Sequence, residues 1–157
     1  MTVAFRLARE ADLPALATNR WRLRTEEDGE PGGVDPAAFR RHCEAFLRRA
    51  LRSPHWALFV AESHGRIVAN AFVQVVPKVP RPGRFDDAIG YVTNVYAEPE
   101  VRGQGAGTEL LRRVVAWARE RDLELLIVWP TARSRSLYAR AGFRAESEIM
   151  EQVLRPE

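Results

Sequence analysis

The sequence predicts a single α/β domain in which helices cover a mixed β-sheet, and three observations carry that prediction. The chain has 157 residues, 46% of them hydrophobic, which is the size and composition of one domain with a buried core. Two apolar runs, Trp56 to Ala61 and Ile67 to Val76, flank the polar stretch Ser63-His64-Gly65-Arg66, a hairpin signal that makes those strands antiparallel. From Ile89 to Pro130 the pattern reads strand, glycine loop, helix, strand, a βαβ unit whose crossover makes its two strands parallel.

The elements follow in order. Phe5 and Leu7 alternate with polar neighbours, as in a half-buried strand, and Asp12 stands as an N-cap before Leu13, Leu16 and Ala17 at helical spacing. Residues 26 to 35, EEDGEPGGVD, are acidic and glycine-rich without an apolar period, so they read as a loop or lid. Asp35 and Pro36 open a second helix, with Phe39, Cys43, Phe46, Leu47, Ala50 and Leu51 on its apolar face. Pro54 ends it, and the hairpin follows. Pro77, Pro80, Pro82 and Gly83 make a loop before the strand Ile89 to Ala97, rich in β-branched and aromatic residues. A helix with Leu110, Leu111, Val114, Val115 and Ala118 on one side runs to about Arg121, and Leu123 to Pro130 is a short buried strand. Ser134 to Ala141 is a short helix closed by Gly142. Phe143 onward, through Ile149 to Val153, supplies at least one more strand, giving six or seven strands and about four helices.

Several function classes fall away at this level. The longest apolar stretch, Leu125 to Trp129, is far short of the roughly 20 residues of a membrane span, and the first residues, MTVAFRLARE, lack a signal-peptide core. A cytosolic protein without a membrane partner is expected. Cys43 is the single cysteine, so no internal disulfide forms, and no His or Cys set has metal-ligand spacing; no metal is expected. The net charge of +3 comes from arginines interleaved with glutamates, as in Arg112, Arg113, Arg119, Glu120 and Arg121, which is a solvated helix face rather than the continuous stripe of a nucleic-acid binder.

The stretch VRGQGAGTELL, Val101 to Leu111, is the chemical signal. Glycines at 103, 105 and 107 leave backbone amides unshielded and allow positive φ. The helix that follows presents its first four N–H groups and its dipole, and Arg102 adds a fixed charge; together these suit a phosphate or pyrophosphate. The spacing GxGxG, late in the element order, is not the dinucleotide fingerprint, and Thr108 has no lysine before it, so a Walker loop is also excluded.

Arg102-Gly103-Gln104-Gly105-Ala106-Gly107 resembles the R/Q-x-x-G-x-G/A signature of the Gcn5-related N-acetyltransferase (GNAT) superfamily. NVYAEPEV, Asn94 to Val101, is similar to that family's fourth strand, and SLYARAGF, Ser136 to Phe143, to its Tyr-x-x-x-Gly-Phe segment. The resemblance covers essentially the whole chain, most strongly Ile89 to Phe143. It implies a V-shaped splay between the fourth and fifth strands in which acetyl-CoA lies, with the pyrophosphate on the amides of Gly103, Gln104, Gly105, Ala106, Gly107 and Thr108 beside Arg102. The pantetheine arm is expected along Val95, Tyr96 and Ala97. Ser134 stands where the family has alanine and joins the expected cofactor contacts, and Thr131 stands where it has asparagine.

The resemblance also implies direct transfer of the acetyl group to a primary amine of a small molecule or peptide, and a protein that can form homodimers. An alkyl amine with pKa about 10.4 is neutral roughly once in 2,500 molecules at pH 7, a penalty of about 4.6 kcal/mol, so a base or water chain is needed. Asp86, Asp87, Glu98 and the acidic stretch 26–30 are the candidates. Tyr138, at the family's tyrosine position, is the expected general acid for the departing thiolate. Trp21, Trp129 and Tyr96 are candidates for an acceptor pocket or for core packing. The rival reading is a non-catalytic acyl-CoA-binding module, which has no need of a phenol at the thioester.

Overall fold

The computed structural model describes residues 2–146 and 148–155. Five strands form one sheet in the order β1-β2-β3-β4-β5: β1 (Ala4–Leu7), β2 (Trp56–Ser63), β3 (Arg66–Pro77), β4 (Ala88–Ala97) and β5 (Leu126–Ile127). The first four are antiparallel to their neighbours, and β5 runs parallel to β4. The mixed sheet of the sequence reading is therefore present, and the helices α1 (Leu13–Asp28), α2 (Pro36–Leu51), α3 (Ala106–Glu120) and α4 (Arg135–Arg140) match the expected four.

The continuous apolar runs of β2 and β3 have a simple cause: helices cover both faces of the sheet. Ala57, Phe59 and Ala61 point into a core with Leu110, Leu111 and Val114 of α3, while Leu58 and Val60 point the other way onto Leu13, Leu16 and Ala17 of α1 and Leu47 and Ala50 of α2. Successive residues of a strand face opposite sides, so each side needs its own apolar set. Asp35 caps α2, its carboxylate accepting from the N–H groups of Ala37 at 3.1 Å and Ala38 at 3.2 Å.

Three expectations are corrected. The sheet has five strands among the described residues, not six or seven. The stretch Leu123 to Pro130 pairs only at Leu126–Ile127, and no strand forms among the described residues of 143–153; Ser147, inside the expected last strand, lies outside the described residues. Glu26, Glu27 and Asp28 belong to α1 and not to a loop, because Arg24 pairs with Glu27 and Asp28 across one helical turn.

Two irregularities of β4 position everything that follows. Its ladder with β5 holds just Gly90↔Leu126 and Tyr91↔Ile127, so from Val92 onward β4 has no partner on that edge among the described residues and the two strands part. On the other edge the register with β3 slips between Asn70 and Phe72, and opposite that slip Asn94 adopts φ 53°, a left-handed conformation that asparagine tolerates better than most residues. The bulge turns both Thr93 and Asn94 toward α1, whereas Val92 and Val95 pack on the α3 side.

Gly90 sets how closely β5 approaches. A Cβ there would lie 2.5 Å from Leu126 Cδ2, with Val73 Cγ1 at 3.1 Å and Leu123 Cδ1 at 3.2 Å. Gly90→Val should therefore lower the unfolding free energy by about 1–3 kcal/mol in urea denaturation, and an unchanged midpoint would show that the two strands have room to separate.

Candidate active site

The glycine loop is built as its composition requires. Gly103 at φ 75° and Gly105 at φ 87° are left-handed, and a Cβ at either would meet nothing within 4 Å, so their backbones face open space. Gly105 is the N-cap of α3 and no side chain caps that terminus. The first N–H groups of Ala106, Gly107 and Thr108 therefore have no intrahelical partner. A concavity of about 370 Å³ beside Gln104, Gly105 and Ala106 opens toward Val3, Phe5 of β1 and Glu109, at the sheet edge opposite β5. Gly107 lies within α3, where a Cβ would stand 3.5 Å from Leu137 Cδ1 in ordinary contact, so α4 packs beside the start of α3. Gln104 Nε2 donates to the Glu100 carbonyl at 2.6 Å and fixes the loop's entry. The exposed backbone at Gly103 and Gly105 and the uncapped N–H groups at the start of α3 fit a pyrophosphate.

Arg102 lies over the Tyr96 ring, 5.5 Å from its centroid. Its Nε donates to the Ala97 carbonyl at 2.8 Å and its Nη2 to Glu26 Oε2 at 2.8 Å. Glu26 also pairs with Arg133 at 3.5 Å and accepts from the Tyr96 hydroxyl at 3.4 Å. The last turn of α1 thus reaches both the loop and the segment after β5. Tyr96 is buried, and its phenol is pushed up by that burial and by Glu26.

Tyr138 of α4 is buried, with its ring edge-on to Phe143 at 5.6 Å. Burial pushes its phenol up to about 12, and Glu27 and Tyr91 add to the shift. Tyr138 belongs to the α3-side core, whereas Glu27 lies on α1, on the other side of the sheet. They act on one another where β4 and β5 have parted. Tyr91 packs edge-on to Trp129 at 5.0 Å across the same opening.

A buried amide chain supports the α1 side of this gap. Asn19 Nδ2 donates to Asn70 Oδ1 at 3.0 Å, and Asn70 Nδ2 donates to the Asn94 carbonyl at 2.7 Å. Asn94 Oδ1 accepts from Arg20 Nη1 at 3.3 Å. Sequence reasoning passed over Asn19, Arg20, Asn70 and Asn94. The available signal was an asparagine inside each of two otherwise apolar strand runs, since a buried polar residue is the informative exception.

The remaining candidates separate clearly. Asp87 sits among Lys78, Arg81 and Arg84; burial pushes its carboxyl up, but the three cations outweigh it and hold it below the ordinary range. It and the exposed Asp86 precede β4, at the end of that strand away from the glycine loop. Glu98 is buried and paired with Arg22 at 3.2 Å and Arg66 at 2.9 Å. Ser134 spends its hydroxyl on Thr131, at 2.9 Å from the Thr131 nitrogen. Val95 is half-buried against the α3-side core. Trp129 is 58% exposed, Trp21 packs on Phe39 at 5.4 Å, and Tyr96 is buried beside Arg102 and Glu26. Among the described residues no group of three or more His, Cys, Asp or Glu is arranged to hold a metal, and no helix is long and apolar enough to cross a membrane.

The sequence matches the profile of the acetyltransferase (GNAT) family over residues 17–143. The chain belongs to that family. A glucosamine 6-phosphate N-acetyltransferase of Trypanosoma brucei brucei is 31% identical over 93 residues, 59% of this chain and 61% of the relative. Glucosamine 6-phosphate N-acetyltransferase 1 of Oryza sativa subsp. japonica is 33% identical over 108 residues, 68% of this chain and 62% of the relative. The match thus spans about three-fifths of each curated relative's length. Among solved structures, a predicted acetyltransferase from Clostridium acetobutylicum, crystallised with acetyl-CoA, superposes with a TM-score of 0.80 at 27% identity, covering 98% of this chain and 97% of that one.

Asn70 is fully buried, so Asn70→Ala leaves the Asn94 carbonyl and the Asn19 amide unpaired. The unfolding free energy should fall by about 1–3 kcal/mol for each orphaned group, read by urea denaturation. A variant as stable as the parent would mean that the bulge is held by other contacts.

Proposed function

We propose that this GNAT family member is an N-acetyltransferase that moves the acetyl group of acetyl-CoA to a primary amine of a small molecule. The observation that carries the reading is the uncapped, glycine-lined start of α3 beside the opening between β4 and β5, with Tyr138 at that opening. The two relatives are named for acetylating an amino sugar phosphate, which makes that class the first acceptor to try.

The residues fit the cosubstrate in three places. The amides of Gly103 to Thr108 would take its pyrophosphate, with the helix dipole and Arg102 favouring negative charge. The free edge of β4, six residues from Val92 to Ala97, spans roughly 20 Å at about 3.3 Å per residue and can pair with an extended amide arm as an added strand would. The Ala97 carbonyl now accepts from Arg102, so an arm pairing there displaces that bond or shares it. When bound, acetyl-CoA supplies an activated carbonyl whose C–S bond is exchanged for a C–N bond to the acceptor.

The chain itself has to manage two protons. Asp86, Asp87 and Glu98 lie elsewhere or are held in ion pairs. Glu27, of the acidic stretch, is also paired, with Arg24 at 2.8 Å, but it alone of the candidates exerts its charge on both Arg20 and Tyr138, which supports it as the group that takes the amine proton directly or through water. Tyr138 faces the opposite end of the exchange. With its phenol pushed up to about 12, full proton transfer to a thiolate of pKa about 8.5 is uphill by roughly 5 kcal/mol. Tyr138 therefore serves best as a hydrogen-bond donor to the sulfur as charge builds on it.

Acetyl-CoA at a hundred times its Kd should stabilise the fold by about 2.7 kcal/mol, seen as a rise in Tm, and Gly105→Val should abolish the rise by placing a branched side chain at φ 87° in the open cradle. No rise at millimolar acetyl-CoA would remove the cofactor site. A rise without CoA release from any amine would favour the non-catalytic module.

Tyr138→Phe should lower kcat about tenfold to a hundredfold with little change in acetyl-CoA affinity. Because the phenol stays protonated to about pH 12, it should leave the pH–rate profile below pH 10 unchanged in shape. Glu27→Gln should instead lower kcat about a hundredfold or more with acetyl-CoA affinity kept; an unchanged kcat would assign the base to another group.

A further inference from the structure

We propose that Arg20 and Asn94 form an anion subsite on the α1 side of the gap, so that the acceptor is an amine that also carries a carboxylate or phosphate. This rests on the acetyltransferase reading of the same gap. Arg20 is half-buried, and of the five N–H donors of its guanidinium the bond it makes is to a neutral oxygen, Asn94 Oδ1 at 3.3 Å. It has no ion pair with a carboxylate among the described residues, in contrast to Arg22, Arg24 and Arg102, which stand on the same helix or the facing loop and are all paired.

Asn94 supplies the second observation. Its Oδ1 must face Arg20, because two donors cannot share a hydrogen bond, and this leaves Nδ2 buried without a partner. Asn94 is only 8% exposed, so the amide is shut off from bulk water. An unpaired buried donor is unfavourable because it has lost water and gained no partner, and a half-buried guanidinium without a counter-charge is unfavourable for the same reason. The pair is thus a cluster of donors lacking an acceptor. Burial pushes the Arg20 guanidinium down from its ordinary value, and Arg24 adds to this, whereas Cys43, Glu27 and Tyr91 act the other way.

The location selects the acceptor as occupant. Asn94 stands three residues beyond Tyr91, where β4 leaves β5, and Arg20 reaches it from α1 at 3.3 Å, so the donor cluster lies at the parting of the two strands. The pyrophosphate has its own cradle at the start of α3. An acceptor that were only a cation would meet the Arg20 charge and leave both donors unpaired. An amine with an anionic group places its oxygens on Arg20 and Asn94 and its nitrogen toward Glu27.

The test uses protein saturated with acetyl-CoA and two matched pairs of amines: D-glucosamine 6-phosphate with D-glucosamine, and an α-amino acid with its methyl ester. CoA release gives kcat and KM, and calorimetric titration of the CoA-bound protein gives affinity. In at least one pair the anionic member should be favoured about tenfold to a hundredfold in kcat/KM, and which pair shows it separates phosphate from carboxylate. R20Q should lose that preference mainly through KM, R20K should keep part of it, and N94D, which puts a carboxylate beside Arg20, should abolish it. All three should retain the acetyl-CoA melting shift. The subsite is overturned if neutral members are favoured or equal, if no anionic probe binds, or if R20Q weakens both members of a pair alike. Loss of the melting shift in the parent protein would instead overturn the acetyltransferase reading.

Discussion

The gap depends on one buried hydrogen bond, from Asn70 Nδ2 to the Asn94 carbonyl. A carbonyl released from its ladder by a bulge has to find another donor when it is shut off from water, and here a side chain of the neighbouring strand provides it. Asn70 in turn accepts from Asn19, so the bulge is tied to α1 through a chain in which each amide group has one role. The consequence is directional. With the bulge in place, Thr93 and Asn94 both turn toward α1, and beyond it Tyr96 is again on that side while Val95 keeps its place on the α3 core. Without it, the alternation of a regular strand would move the residues beyond it to the opposite face, carrying Tyr96 away from Glu26.

The glycine loop and the end of α1 hold one another by charge. Glu26 stands on Arg102 and Arg133, so in the absence of an anion the cations that border the cradle already have a partner. Exposed ion pairs contribute about 0–1 kcal/mol, whereas a diphosphate offers several charged oxygens to backbone amides that now have none. On the proposed cofactor site the contest favours the diphosphate. Glu26 then becomes free to remain on Arg133 and Tyr96, which keeps the last turn of α1 beside the gap rather than releasing it.

The sequence made the layers and the loop legible, because both rest on local rules. Apolar periodicity marked α2 and α3, the Asp35-Pro36 pair marked a helix start, and two of the three loop glycines sit at positive φ as the motif requires. Gly107 does not; it lies inside α3, and a Cβ there would make only an ordinary contact with Leu137. The stretch 26–35 looked like a loop because it lacks an apolar period, yet its first three residues extend α1 through ion pairs with Arg24, which period counting ignores. Leu123 to Pro130 looked like a full strand because it is apolar. The length of a strand is set by its partner, and β4 turns away after Tyr91. The asparagine chain was hidden for a related reason: one polar residue in an apolar run does not say which long-range partner satisfies it.

The role proposed for Tyr138 follows from an environment that both limits and directs it. A phenol in an apolar surrounding, with an acidic side chain and a second tyrosine nearby, holds its proton more tightly than a free one. That makes it a poor proton donor to a good leaving thiolate. It also makes it a permanently protonated one, so the O–H is available as a donor at every pH at which the protein operates. A hydrogen bond to a forming anion is stronger than one to a neutral thioester sulfur, and it is this difference, not transfer of the proton, that lowers a barrier. The burial that makes Tyr138 a weak acid also keeps water from competing for its hydroxyl, so the raised value and the donor role follow from one cause.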